Sequence, residues 1–93
     1  MEISNILYVK SDGNYSLFFT VDGEKIMVSK TLKEFEQILP KELFIRIHNS
    51  YIINVQFVKK VLKEDGGYAQ LSNDEKIPIS RRKKDAFLKM ILK

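Results

Sequence analysis

A mostly β fold with a small α content is predicted for this chain of 93 residues: short antiparallel strands in small stacked sheets, one short internal amphipathic helix and a C-terminal helix. Three observations carry that prediction. Short runs of apolar, β-branched and aromatic residues recur along the chain and are punctuated by turn formers such as Asp12-Gly13-Asn14, Asp22-Gly23 and Asn73-Asp74. Helical spacing of apolar residues is confined to Leu32–Leu39 and to the stretch after Ser80. Finally, the longest uninterrupted apolar run is the four residues Ile6–Val9, far below the roughly 20 that a membrane-spanning helix needs.

Taken in order, Ile6–Val9 reads as a first buried strand, followed by turn formers over Lys10–Asn14. Tyr15–Val21 forms a second strand, with Leu17, Phe19 and Val21 at period two. Asp22-Gly23 is a hairpin signal into a third strand, Lys25–Ser29. Thr31-Leu32-Lys33-Glu34 has capping-box spacing: the Thr31 hydroxyl can accept from the Glu34 amide while the Glu34 carboxylate reaches back to the Thr31 amide. A helix therefore starts there, with Leu32, Phe35, Ile38 and Leu39 as its apolar face, and Pro40 stops it after about two turns.

The densest interleaving of apolar and hydrogen-bonding residues is Phe44–Asn54. Phe44–Ile47 is a strand with Arg46 free to face water or a partner. His48-Asn49-Ser50 cannot all face a core, so the chain turns there and displays at least one of them. Tyr51, Ile52 and Ile53 re-anchor the corner, which makes it a rigid presentation device. Val55–Leu62 is a further strand, Asp65-Gly66-Gly67 a turn, Tyr68–Leu71 a strand, Asn73-Asp74 a turn and Lys76–Ser80 a last strand. Pro78 cannot donate to a ladder and belongs at an edge or a strand end. Ser80 is a suitable N-cap for a terminal helix with Phe87, Met90 and Ile91 on one face. The first turn of that helix would hold Arg81, Arg82, Lys83 and Lys84, the wrong sign for the positive end of its dipole.

The length fits one domain spanning residues 1–93, and a hydrophobic content of 44% is that of a globular chain. The absence of cysteine excludes disulfides and thiol chemistry, and with a single histidine it leaves no plausible zinc site. Met1–Asn5 lacks a basic leader before an apolar block, so a signal peptide is absent or was removed, and the lack of cysteine fits a cytoplasmic location. The net charge of +4 is divided unevenly. Residues 1–43 hold five Lys and Arg against seven Asp and Glu, whereas residues 44–93 hold eleven against five. A basic second half suggests an anionic partner such as nucleic acid or a membrane surface, although lysine kept for solubility would look the same.

The run Phe44-Ile45-Arg46-Ile47-His48-Asn49-Ser50-Tyr51-Ile52-Ile53-Asn54 is followed by Val58-Lys59-Lys60-Val61, Gly67, Leu71 and Ile77-Pro78-Ile79-Ser80-Arg81-Arg82. Together with Asp12-Gly13-Asn14-Tyr15 upstream, it resembles the LytTR DNA-binding domain of bacterial transcriptional regulators. The resemblance covers nearly the whole chain. It implies short strands in stacked sheets whose loops enter successive major grooves, usually as the output half of a two-component response regulator. The receiver domain that normally precedes such a module is absent from these residues, so the resemblance implies an excised domain or a stand-alone member.

Carried over by position, the resemblance places base contacts at Asn14, Tyr15, Asn49 and Arg81. Some relatives have histidine where Tyr15 stands and arginine where Asn49 stands, which concerns the bases read and not the mode of binding. Arg81 can fork onto guanine O6 and N7, and Asn49 can pair with adenine N6 and N7. Arg46, Ser50, Lys59, Lys60, Arg82, Lys83 and Lys84 are assigned to phosphates, which position the protein but read no sequence. Double-stranded DNA with repeated half-sites, bound by a homodimer, is the partner implied, with no cofactor, no metal and no membrane.

Bland readings stand beside these. His48 suits a structural hydrogen bond better than catalysis, Tyr15 is open between packing and DNA contact, and Asn54 caps or turns the backbone. Phe18, Phe19, Phe35, Phe44, Phe57 and Phe87 belong to the core. A single-stranded nucleic-acid-binding β-barrel would need exposed aromatics on one face, and a protein-interaction module is the third class. An enzyme is not expected, because no nucleophile and base are paired at a plausible spacing.

Overall fold

In a computed structural model the chain is described over residues 2–63 and 66–92. Among the described residues eight strands form two antiparallel sheets. The first three strands are β1 (Ile6–Asp12), β2 (Tyr15–Thr20) and β3 (Lys25–Val28), joined as a meander. Helix α1 (Leu32–Ile38) then crosses to β4 (Phe44–His48), which forms a hairpin with β5 (Tyr51–Asn54). Because β5 docks on β1, the first sheet runs β3-β2-β1-β5-β4. A second sheet of three strands holds β6 (Val58–Leu62), β7 (Tyr68–Leu71) and β8 (Lys76–Pro78) in sequence order. Helix α2 (Lys84–Ile91) follows.

The five-stranded sheet is the middle layer. On one face Ile6, Val9, Phe18, Phe44 and Ile52 pack under Leu32 and Leu39, with Phe35 edge-on to Phe18. On the other face Leu7, Tyr8, Ile47 and Ile53 meet Ala69, Leu71 and Ile77 of the second sheet, together with Ile79 and Phe87. Strict alternation along β1 would put Leu7 and Tyr8 on opposite faces. A bulge between Ile6 and Tyr8 in the β1–β2 register puts both in the same core, and Tyr8 stacks on Phe19 at 4.5 Å between ring centroids.

The capping box is present as the sequence implied: the Thr31 hydroxyl accepts from the Glu34 amide at 3.3 Å and the Thr31 amide donates to the Glu34 carboxylate at 3.2 Å. Pro78 ends β8 at the sheet edge. Other elements depart from the prediction. The first strand continues to Asp12, so Lys10–Asp12 are strand and only Gly13-Asn14 turn. In β2 the buried face is Ser16, Phe18 and Thr20, while Leu17 and Phe19 are half-buried and Val21 is exposed. Two hydroxyls can lie inward because both are satisfied: Ser16 donates to the Lys30 carbonyl at 2.6 Å, and Thr20 accepts from the Glu24 amide at 3.1 Å.

Ile38, placed on the apolar face of α1, is exposed at the end of the helix, where Leu39 turns in instead. Val55–Phe57 is a 3-10 turn and not part of a strand, because the buried Asn54 side chain accepts from the Gln56 amide and bends the chain. Asp65 of the expected Asp65-Gly66-Gly67 turn lies outside the described residues. The stretch after Ser80 begins as a 3-10 turn, Arg81–Lys83, and α2 starts only at Lys84. Ser80 makes no side-chain cap. The expected crowding of four cations in the first helical turn is correspondingly reduced, since Arg81–Lys83 precede α2 and Asp85 occupies its first turn.

Candidate nucleic-acid interface

Three turns assigned to recognition come together at one end of the molecule, and backbone hydrogen bonds hold them there. The first joins β1 to β2, where Asp12 pairs with Tyr15 across the two-residue connection Gly13-Asn14. A two-residue hairpin of this hand needs a positive φ at its first position, and Gly13 supplies it at 63° with open space around it. Asn14 and Tyr15 are exposed at the tip, Tyr15 at 47%.

The second turn, Asn49-Ser50, joins β4 to β5. Lys10 of β1 pairs with Tyr51, and the Ser11 amide donates to the Ser50 carbonyl at 3.0 Å, so this turn lies beside the first. His48 serves the scaffold: its Nδ1 accepts from the Ser50 amide at 3.1 Å, and its ring packs edge-on against Tyr51. Arg46 lies beneath the turn. Its Nε donates to the His48 carbonyl at 3.0 Å, its Nη2 to the Asn49 carbonyl at 2.6 Å, and its Nη1 to the Glu36 carboxylate on α1 at 2.9 Å. The sequence reading left Arg46 free to face water or a phosphate, but here all three of its nitrogens are engaged within the chain. Asn49 itself is exposed, with its backbone held from below.

The third turn is Arg81–Lys83. Ile79 donates its amide to the Gly67 carbonyl of the second sheet at 3.1 Å, and Ser80 donates to the Ile47 carbonyl of the first at 2.7 Å. The chain thus passes from one sheet to the other immediately before Arg81, two residues in space from the Asn49 turn along β4. Arg81 and Arg82 are exposed, and Lys83 and Lys84 are half-buried. The Lys84 side chain runs close to Gly67, where a Cβ would lie 3.8 Å from Nζ.

The β6 lysines are placed differently. Lys59 is bound to Asp74 in the β7–β8 turn at 2.8 Å, at the end of the second sheet opposite Ser80. That hydrogen bond and the ammonium charge hold the Asp74 carboxyl below the usual carboxylate range, although both groups are well exposed and the pair is a weak one. Lys60 is exposed in mid-strand, opposite Gln70. Sequence reasoning passed over Lys63, which follows β6 at the end that carries the three turns, where Leu62, Tyr68 and Pro78 are aligned across the sheet. Its position beside the Gly66-Gly67 turn was the available signal.

The phosphate and base assignments therefore divide. Asn14, Tyr15, Asn49, Ser50, Arg81, Arg82, Lys83 and Lys84 share one end of the fold, Lys60 lies further along β6, Lys59 is at the far end, and Arg46 lies under the second turn. Among the described residues no group of three or more His, Cys, Asp or Glu could hold a metal ion, and no helix is long and apolar enough to cross a membrane.

Comparison with known proteins identifies one family. The LytTr DNA-binding domain model matches residues 1–92. The chain is 32% identical over 77 residues to the sensory transduction protein LytT of Enterococcus faecalis, covering 81% of this chain and 32% of that protein. It is 30% identical over 83 residues to an uncharacterized response regulatory protein of Vibrio cholerae, covering 85% and 32% respectively. With the CO-responsive transcriptional regulator RcoM of Rhodospirillum rubrum it shares 30% identity over 67 residues, covering 72% and 28%. A solved LytTr DNA-binding domain from Bacillus cereus superposes with a TM-score of 0.89 at 26% identity, covering 98% of this chain and 84% of that one. The chain spans about a third of the length of the curated relatives it matches.

Proposed function

The chain belongs to the LytTr DNA-binding domain family, and we propose that it binds DNA in transcription regulation and reads a duplex sequence-specifically by laying its three clustered turns into successive major grooves. The observation that carries this reading is the pair of backbone bonds from Ser11 to Ser50 and from Ser80 to Ile47, which brings turns from three parts of the chain to one end. Asn14, Tyr15, Asn49 and Arg81 contact base edges, with Asn49 suited to adenine and Arg81 to guanine. Ser50, Lys60, Lys63, Arg82, Lys83 and Lys84 contact phosphates and set the register. Tyr15 is the one aromatic among the strongly exposed large apolar side chains of the described residues, which gives no stacking platform for a single strand.

The longest dimension of the fold is 32 Å, close to the roughly 34 Å of one duplex turn, so one copy covers one half-site and a homodimer on repeated half-sites covers two. Relatives about three times longer, among them response regulatory and CO-responsive proteins, support a role as the output module of a larger cytoplasmic regulator. The module acts by binding, without catalysis, cofactor or metal. Selection of bound duplexes from a random pool at moderate salt tests the reading. A defined motif with two half-sites is expected, and recovery of unenriched sequence would overturn it.

A further inference from the structure

We infer that Arg46 is a positioning residue for base reading, coupling α1 to the recognition turn through Glu36, and that it contacts no phosphate. The inference rests on the proposed base contact of Asn49. A guanidinium has five donors in a fixed planar fork, and here the fork bridges three acceptors on two pieces of chain: the consecutive carbonyls of His48 and Asn49 in the turn and the carboxylate of Glu36 on α1. Bonds to two consecutive carbonyls of a tight turn fix both peptide planes, and therefore the direction in which the Asn49 side chain leaves the backbone. A base-edge contact demands that direction, because its two hydrogen bonds must meet the adenine edge together.

The local backbone requires such a support. A register irregularity between Arg46 and His48 on β4 removes regular ladder pairing next to the turn, so the strand alone does not define its geometry. The His48 imidazole holds the Ser50 amide, and Arg46 holds the two carbonyls before it. Glu36 in turn orients the fork. It lies on the exposed side of α1, and the Arg46 side chain is only 19% exposed, which directs its charge inward and away from a duplex.

Lysine keeps the charge of arginine but cannot span three acceptors in a plane, so Arg46→Lys separates positioning from phosphate binding. The experiment measures Arg46→Lys, Arg46→Gln, Glu36→Gln and Asn49→Ala on the duplex selected with the wild-type chain and on its singly substituted versions, across a range of salt, with thermal melting of each free protein. Arg46→Lys is expected to relax preference by about tenfold at the same base position as Asn49→Ala, the size of one good base contact. The double variant should relax it no further. Glu36→Gln should relax the same position in the same direction, and Arg46→Gln should leave the salt slope unchanged. A salt slope smaller by about 0.9 in Arg46→Gln, with base preference intact, would make Arg46 a phosphate contact and overturn the inference. If Asn49→Ala relaxes one position while Arg46→Lys and Glu36→Gln relax none, the coupling alone fails. If Asn49→Ala relaxes no position, the base-reading assignment fails and this inference fails with it.

Discussion

The amide of Ser80 donates to the carbonyl of Ile47 at 2.7 Å, and through this bond the second sheet delivers Arg81 to the end of β4, next to Asn49. Ile47 is fully buried, so the acceptor is a fixed point of the core. Residues 49 and 81 lie far apart in sequence and yet fall on one surface. The proposed recognition surface therefore depends on the docking of two sheets and not on the rigidity of any single element.

Because Arg82 is exposed in the 3-10 turn ahead of α2, it contributes little to the free fold, and the proposed phosphate contact is the role a charge reversal tests. Arg82→Glu is expected to change the free-energy of unfolding by no more than about 0.5 kcal/mol while weakening duplex binding about tenfold. Urea unfolding and a titration with cognate duplex check both halves. Loss of stability with affinity intact would assign the residue to the fold.

Salt dependence separates Lys59 from Lys63. Binding should weaken linearly in log–log form, with a slope near −0.9 for each phosphate neutralised. Lys63→Ala is expected to reduce that slope by about one contact, whereas Lys59→Ala, paired with Asp74 at the opposite end, should leave it unchanged. A flat salt response in the wild-type chain would remove the DNA surface altogether.

Asn54 is fully buried, and its side chain joins distant parts of the sheet: Nδ2 donates to the Ile6 carbonyl at 3.0 Å and Oδ1 accepts from the Gln56 amide at 3.0 Å. Asn54→Ala removes both bonds and takes this donor from the buried Ile6 carbonyl, at a cost of about 1–3 kcal/mol. The urea midpoint should fall accordingly. Asn54→Asp keeps the acceptor but loses the donor to Ile6, and should also destabilise the fold.

Tyr8 responds to pH. Burial, reinforced by its hydrogen bond to Glu75 at 2.8 Å, raises its phenol well above the usual tyrosine range. With the folded value above the unfolded one, the stabilisation is fully present below about pH 10, where an unfolded tyrosine still keeps its proton, and is lost as pH rises beyond it. Urea midpoints measured from pH 8 to 11 should therefore decline above about pH 10, and Tyr8→Phe should flatten that decline. An identical alkaline limb in Tyr8→Phe would place its origin elsewhere.

Much of the fold was legible from short-range chemistry. Thr31 and Glu34 cap a helix because both partners lie within one turn of each other, and Pro78 ends a strand because it has no amide to donate. His48, read as a structural hydrogen-bonding residue, holds the Ser50 amide two positions away. The three turns that the motif resemblance assigns to recognition each lie where a glycine, a polar corner or a strand end breaks the apolar pattern.

What the tertiary structure alone decided involves partners distant in sequence or choices between two faces. The inward phase of β2 could not be read from Leu17, Phe19 and Val21, because buried Ser16 and Thr20 are compensated by acceptors and donors that only the folded chain brings near. The β1 bulge, which turns Leu7 and Tyr8 to the same side, answers to the second sheet packed against them. By its sequence Arg46 was free to face water or a partner, and Glu36 on a helix ten residues earlier turns it into the chain instead. Lys59 and Lys63, four residues apart and alike in sequence, fall at opposite ends because the β6–β7–β8 register runs between them. Local hydrogen bonds and backbone sterics act within a few residues and leave a mark in the sequence, whereas sheet docking depends on closing long loops around a shared core, and no short stretch of sequence contains that information.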